Sequence, residues 1–437
     1  MVKVFLKHGR DESLRRFHPW VFSGAVAQVQ GSPAEGDIVG VYSAEGQFLA
    51  SGHWQVGSIA VRILSFDADP AAPGFWIDSI SRALAVREAV GLYATGSGQL
   101  PPETSCCAGP LPSDDGPLPL TVPRVARFPE AVTASGQQTN CFRLVHGEGD
   151  GLPGLIIDWY DGVCVLQAHS VGMFRAKGQI CEALKAVFGE RLKAVYDKSS
   201  GTAPFKAGLE LIDGYLYRAP GFDASETVVL ENGRKFLVNW VEGQKTGFFL
   251  DQRDNRELVG KYAAGRRVLN LFCYTGGFSI YALTAGAALV DSVDSSSRAM
   301  DLVARNIQLN GNTIECHNYC EDAIEFLRKT EEGKYDLMIV DPPAFAKHRG
   351  ALKNALRAYQ RLNAAAIAKV APGGLVFTFS CSQVVDKITF ANTVFSAAAQ
   401  TGRSVRILDR LCQGADHPVS IYHPEGEYLK GLLLYVE

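Results

Sequence analysis

The sequence predicts an α/β protein whose C-terminal half is a doubly wound parallel sheet, preceded by a central α/β unit and a β-rich N-terminal domain. Three observations carry this expectation. From Phe236 to Glu437, apolar strand, glycine turn and amphipathic helix alternate several times. Within that half, three strand-like apolar runs each end in a distinctive segment: Val268–Phe272 in Cys273-Tyr-Thr-Gly276-Gly277, Leu337–Val340 in Asp341-Pro342-Pro343, and Leu375–Phe379 in Ser380-Cys381-Ser382. The first 70 residues, by contrast, are short strand-length runs spaced about ten residues apart with glycine at the breaks.

At 437 residues the chain is too long for one ordinary domain. Its 47% hydrophobic and 20% charged content supplies several cores and excludes a disordered chain. A formal net charge of -3 excludes a uniformly basic protein, so any nucleic-acid surface must be a local patch. The N-terminus turns polar after Leu6, which is too early for a signal peptide. No apolar run approaches the roughly 18–20 residues of a transmembrane helix. The 10 cysteines include no C-x-x-C pair and no matched halves of a zinc site, so free thiols in a reducing cytoplasm are expected.

In chain order, residues 1–70 form a small β-barrel or half-barrel. Its strands are expected at Val2–Leu6, Val21–Phe22, Asp37–Tyr42, Phe48–Trp54 and Ile59–Leu64. Arg10, Arg15, Arg16, His18 and Trp20 make a basic, aromatic segment inside it, suited to RNA. Residues 71–139 hold a helix (Ile77–Val90) and then a Pro/Gly/Ser/Thr-rich insertion, Ala94–Thr139, read as a loop. Residues 140–230 form a compact mixed unit with strands at Leu155–Tyr160, Val163–Gln167 and Leu192–Tyr196 and a helix over Val171–Phe188. Residues 231–437 form the doubly wound domain.

Chemistry concentrates where strands end. Glycines in the Thr275-Gly276-Gly277 turn let a cofactor approach the backbone, although the turn is not G-x-G-x-x-G. Asp294 closes the next strand and is placed to accept bonds from ribose hydroxyls. The plain alternative is a helix cap, a role Ser295 can fill instead. Asp322, one strand further, is the natural contact for an adenine amino group. Paired prolines give Asp341-Pro342-Pro343 a rigid strand exit, so the carboxylate can face a planar amide-like edge.

Cysteines after apolar strands are usually core. Cys381, however, sits past its strand between two serines, before a helix expected to begin near Val384. A helix N-terminus would lower the thiol pKa. A thiolate adding to C6 of a pyrimidine makes C5 nucleophilic toward an electrophilic methyl group, while the carboxylate of Asp341 holds the ring. Lys235, Lys245, Arg253, Arg256, Lys347, His348, Arg349 and Lys353 are candidate phosphate contacts or ordinary solvated charge. Asp416-His417 lacks an accompanying serine nucleophile and reads as structural.

Several long segments resemble the RlmI-type S-adenosylmethionine-dependent 23S rRNA cytosine-5 methyltransferases. They are Arg143–Asp158, Gln244–Arg253, Asn270–Ser279, Val293–Ser296, Asp341–Lys347, Phe379–Ser382, Ala415–Val419 and Pro424–Gly431. The resemblance runs over nearly the whole chain. It implies an N-terminal PUA domain, a central α/β domain and a C-terminal Rossmann-like class I methyltransferase domain. It also implies that Cys381 is the nucleophile, with Asp341 beside it. S-adenosylmethionine would be held by Phe248, Asp251, Gln252, Arg253, Phe272, Tyr274, Thr275, Gly276, Gly277, Asp294, Ser295, Asp322, Asp341 and Pro342. Large-subunit rRNA, or its ribosomal precursor, would meet Arg15, Arg16, Trp20 and Lys347. No metal and no membrane are expected, and a homodimer stays open. Two alternatives are a guanine-N7 rRNA methyltransferase, which needs no thiol, and a non-catalytic ribosome-assembly factor.

Overall fold

A computed structural model of the chain describes residues 1–93, 138–204, 208–346 and 348–437. Most of the Ala94–Thr139 insertion, and Lys347, lie outside the described residues.

The N-terminal domain contains β1 (Val2–Leu6), α1 (Glu12–Arg15), β2 (Trp20–Phe22), β3 (Val26–Gln30), β4 (Ile38–Tyr42), β5 (Phe48–Trp54) and β6 (Ile59–Ser65). The sheet order is β2-β6-β5-β4-β1-β3. Alternate residues Val4, Leu6, Val39, Val41, Val61 and Ile63 turn inward and form its core. Strand β3 was not anticipated, because an edge strand reading Val-Ala-Gln-Val-Gln buries no residue fully.

Helix α2 (Phe75–Ala89) lays Trp76, Ile80, Ala83 and Leu84 on the central domain. That domain is built from β7 (Cys141–His146), β8 (Leu155–Tyr160), β9 (Val163–Ala168), α3 (Val171–Phe188), β10 (Ala194–Asp197) and β11 (Gly214–Arg218), in sheet order β11-β10-β9-β8-β7. Strands β9 and β10 are parallel, so α3 is their crossover, started by Ser170 accepting the Met173 N–H. The hairpin β12 (Glu226–Glu231) and β13 (Arg234–Asn239) follows. Asn232 and Gly233, with φ of 46° and 77°, make its two-residue turn.

The C-terminal domain runs α4 (Arg253–Ala263), β14 (Arg267–Leu271), α5 (Gly277–Thr284), β15 (Leu289–Asp294), α6 (Ser297–Leu309), β16 (Cys316–Cys320), α7 (Ala323–Lys329), β17 (Leu337–Val340), α8 (Leu352–Lys369), β18 (Gly374–Ser380), α9 (Lys387–Thr401), β19 (Val405–Leu411) and β20 (Lys430–Val436). Strand order is β16-β15-β14-β17-β18-β20-β19, with β20 antiparallel to both neighbours. The chain winds outward in one direction from β14 and in the other from β17. The crevice beyond their carboxyl ends is therefore the switch point of the sheet. Buried β-branched and leucine residues on β14, β17 and β18 leave both faces covered by helices.

Candidate active site

The turn after β14 is held in an uncommon backbone conformation. Phe272 and Tyr274 have φ of 58° and 48°, and Gly276 has 78°. Backbone bonds fix it: Cys273 N–H donates to the Val293 carbonyl at 3.0 Å and Gly276 N–H to the Cys273 carbonyl at 2.8 Å. Asp294 braces the same turn, its Oδ2 accepting the Tyr274 N–H at 3.0 Å while Oδ1 accepts the Ser296 N–H at 3.0 Å. The cap of α6 is Ser296, so neither Asp294 nor the exposed Ser295 fills that role. The glycines answer to packing. A Cβ on Gly276 would come within 3.1 Å of Val303, and one on Gly277 within 2.9 Å of Arg256. Thr275 is buried, and its hydroxyl has no hydrogen-bond partner among the described residues. Asp322 caps α7, with Oδ1 accepting the Ile324 and Glu325 N–H groups at 3.0 and 2.9 Å.

Across the crevice, Asp341 leaves β17 and Cys381 leaves the neighbouring β18. Gln252 Nε2 donates to Asp341 Oδ2 at 2.9 Å, and the Gln252 amide is itself held by Asn255 at 2.6 Å. Asp251 Oδ2 accepts the Tyr428 hydroxyl at 2.6 Å, while its buried Oδ1 has no partner among the described residues. The two carboxyls are driven apart electrostatically. Burial, then the nearby Asp251 charge, push Asp341 up to about 7 against the Gln252 bond and Lys245. For Asp251, burial raises the pKa, but Lys245, His417, the Tyr428 bond and Arg143 outweigh it and hold it at about 2. Burial and Asp341 push the Cys381 thiol up to about 11, with Lys245 and Lys430 opposing. The expected helix effect on this thiol is therefore corrected: α9 begins at Lys387, capped by Asp386, not at Val384.

Other expectations are redistributed. Arg253 is buried with its Nη2 on Asp416 and the Cys141 carbonyl, both at 2.9 Å, and Arg256 grips Glu231 at 2.7 Å through two nitrogens. Arg256 also donates to the Phe249 carbonyl at 2.9 Å, so both guanidiniums are engaged by protein partners. Phe248 is core, tilted against Phe236 at 4.9 Å. Trp20 is partly buried at the domain junction, its Nε1 donating to Glu148 at 2.9 Å and its ring 4.3 Å from His423, so it is not a free stacking surface. Arg15 and Arg16 are exposed but paired with Asp11 and Glu12. Lys430 and Tyr428, by contrast, were missed as site residues. A lysine heading the apolar run Gly431–Val436 was the available signal.

The chain is similar to known proteins along its whole length. A family model for S-adenosylmethionine-dependent methyltransferases matches residues 207–433, and one for PUA-like domains matches residues 4–66. Ribosomal RNA large subunit methyltransferase I of Aeromonas hydrophila is 37% identical over 99% of this chain and 98% of its own length. The protein of that name from Shewanella amazonensis is 36% identical over 100% and 99%. The chain belongs to this methyltransferase family. In fold, a solved methyltransferase complexed with SAH aligns over 100% of both chains with a TM-score of 0.76 at 20% identity. A methyltransferase from Streptococcus mutans gives 0.75, also at 20% and over both whole chains.

The cofactor of the family is S-adenosylmethionine, and the residues present fit it. The Thr275 hydroxyl and Asp251 Oδ1 are buried without hydrogen-bond partners among the described residues, Asp294 stands at the end of β15, and all flank the switch point. Among the described residues no helix is long and apolar enough to cross a membrane.

Proposed function

We propose that this chain methylates C5 of a cytosine in large-subunit (23S) rRNA by way of a covalent bond between Cys381 and C6. The relatives' activity on large-subunit ribosomal RNA and the matched PUA-like domain support the substrate class. The observation that carries the chemistry is the pairing of a thiol and a carboxyl at the ends of adjacent strands β18 and β17. A guanine-N7 enzyme has no use for that thiol.

S-adenosylmethionine, when bound, supplies an electrophilic methyl group. We assign its ribose to Asp294, its adenine to Asp322 and its remaining polar groups to Thr275 and Asp251. The Cys381 sulfur adds to C6, which moves electron density to C5 and N3 of the ring. With its pKa near neutrality, Asp341 can present a proton to N3 and stabilise that charge, as an ordinary carboxylate could not. Gln252 sets the orientation of Asp341 and keeps it facing the ring. Lys347 and the β-rich domain, with Arg15 and Arg16 exchanging their surface partners for phosphates, are assigned to the RNA.

The test uses rRNA carrying 5-fluorocytosine, whose C5 fluorine cannot leave as a proton. Wild-type protein should trap an adduct that maps to Cys381. Cys381→Ser should trap none and lose turnover by about 10³-fold or more, because a serine hydroxyl is scarcely ionised at neutral pH. Methylation of Cys381→Ser at the wild-type rate, or an adduct on another cysteine, ends this reading.

A further inference from the structure

Strand β20 opens with a buried lysine. Lys430 is 4% exposed and lies directly opposite Ser380, the residue before Cys381, in the β18–β20 register. Its ammonium turns over the strand end and donates to the carbonyls of Ser382 at 2.7 Å and Tyr428 at 2.6 Å. Both partners are neutral, and among the described residues no carboxylate pairs with it. A buried ammonium without a counter-ion is costly, so its retention beside a thiol needs a reason.

The turn around Cys381 is built to keep that geometry. The Ser382 hydroxyl lies 3.0 Å from the Tyr359 hydroxyl, and its carbonyl also accepts the Val385 N–H at 3.1 Å. Cys381 is thus carried on a braced loop tied to the lysine through the Ser382 carbonyl and to α8 through the Ser382 hydroxyl.

We propose that Lys430 is the positioning residue that supplies the positive charge for the Cys381 thiolate. This rests on Cys381 being the nucleophile. Sγ–H gives up its proton to water, the sulfide lone pair faces the ammonium, and that pair then forms the bond to C6 while the C5–C6 π pair moves to C5 and N3. After methyl transfer the C5 proton passes to water, its electron pair re-forms the C5–C6 double bond, and the C6–S bond breaks with sulfur leaving as thiolate against the same ammonium. Lys430 therefore ends each turnover in the protonation state in which it began.

The charged groups facing the pair are Asp341, Asp251 and Lys245 around the thiol, and Asp386, Glu427 and Lys387 around the amine. Lys245 is exposed, with its ammonium over the Phe249 ring at 4.4 Å, so water screens it more than Lys430. Without Lys430, the carboxylates on both sides oppose ionisation of the thiol.

The test is the pH profile of Cys381 alkylation by iodoacetamide in the full chain, with peptide mass spectrometry separating Cys381 from the other cysteines. Lys430→Met should move the midpoint upward by about one unit and slow alkylation at pH 8 about tenfold. Lys430→Arg should stay within about threefold of wild type at that pH, since a guanidinium keeps the charge. An unchanged midpoint in Lys430→Met overturns the proposal. Should that variant not melt cooperatively, Lys430→Arg decides: a permanent cation must leave the midpoint at or below the wild-type value, and a higher one overturns the pairing. Because alkylation needs neither RNA nor methyl transfer, a shifted profile without a 5-fluorocytosine adduct would reject the nucleophile assignment and leave the Lys430–Cys381 pair standing.

Discussion

Two buried clusters of charge lie back to back in this protein, and burial has opposite results in them. In the first, every ion has a close opposite. Arg87 grips Asp150 at 2.5 and 2.9 Å, Arg143 grips Asp158 at 2.8 and 3.0 Å, and Arg253 and Arg256 hold Asp416 and Glu231. Arg87 also reaches the Asp416 and Arg143 carbonyls, both at 2.7 Å, so α2, the central sheet and the C-terminal domain are tied together. Burial of Asp416 favours its neutral form, but Arg253 and His417 overwhelm that and keep the carboxylate charged. In the second cluster, Asp251 and Lys430 are buried and Asp341 and Cys381 half-buried, and although Lys245 and His417 outweigh burial to keep Asp251 low, at about 2, the other three have no ion-pair partner among the described residues. Asp341 rises to about 7, Cys381 to about 11, and burial brings Lys430 down to about 8. Counter-ion supply separates scaffold from chemistry.

That contrast can be broken by experiment. Removing an ion from the paired cluster should cost most. Asp416→Ala leaves the buried Arg253 guanidinium with only the more distant Glu231 carboxylate, 3.6 Å from Nε, and takes the acceptor from the Arg143 N–H, so a loss of about 2–4 kcal/mol is expected in denaturant unfolding. A loss below about 1 kcal/mol would mean that the network is not a scaffold.

In the unpaired cluster the same kind of change should stabilise. Asp341 keeps its proton in the folded state up to about pH 7, whereas an unfolded aspartate loses it near pH 4. The stability this contributes is full below the unfolded pKa and is lost as pH rises through the folded one. Asp341→Asn mimics the protonated form. It should match wild type near pH 4 and exceed it by about 1–3 kcal/mol at pH 8, while abolishing proton donation to the ring. Thermal melts with no pH-dependent difference would remove the raised pKa, and with it the acid role of Asp341.

The smallest effect sharpens the division between support and contact at the cofactor end. Asp322→Ala should lower stability by about 1 kcal/mol through loss of the α7 cap, and Asp322→Ser should restore it. If Asp322 also meets adenine, calorimetry should show weaker S-adenosylmethionine binding in both variants. Restored affinity in the serine variant would leave it a cap alone.

Much was legible from neighbours along the chain. Strand–turn–helix alternation foretold the doubly wound sheet, because a parallel strand buried on both faces needs a continuous apolar run. Asp341 and Cys381 stood out because each directly follows such a run, and the resemblance of the surrounding segments implied a chemistry for them. The turn residues Thr275–Gly277 and Asp294 stood out for the same local reason.

What the sequence determined by itself, then, is the order of elements, the family, and which side chains leave the strand ends. Only the tertiary structure decided what those side chains are. Lys430 reaches the loop that carries Cys381, donating to the Ser382 carbonyl, because β20 returns antiparallel beside β18, a pairing between residues about 50 positions apart that no local pattern encodes. Arg253, adjacent in sequence to Asp251 and Gln252, points the other way, into Asp416, since the helix it begins turns successive side chains to different faces. The thiol expected to be acidified by a helix is instead raised, because that helix starts later and the enclosing fold brings Asp341 beside the thiol while excluding water. Ionisation depends on dielectric surroundings and on charges gathered from distant strands, and those exist only once the chain has folded.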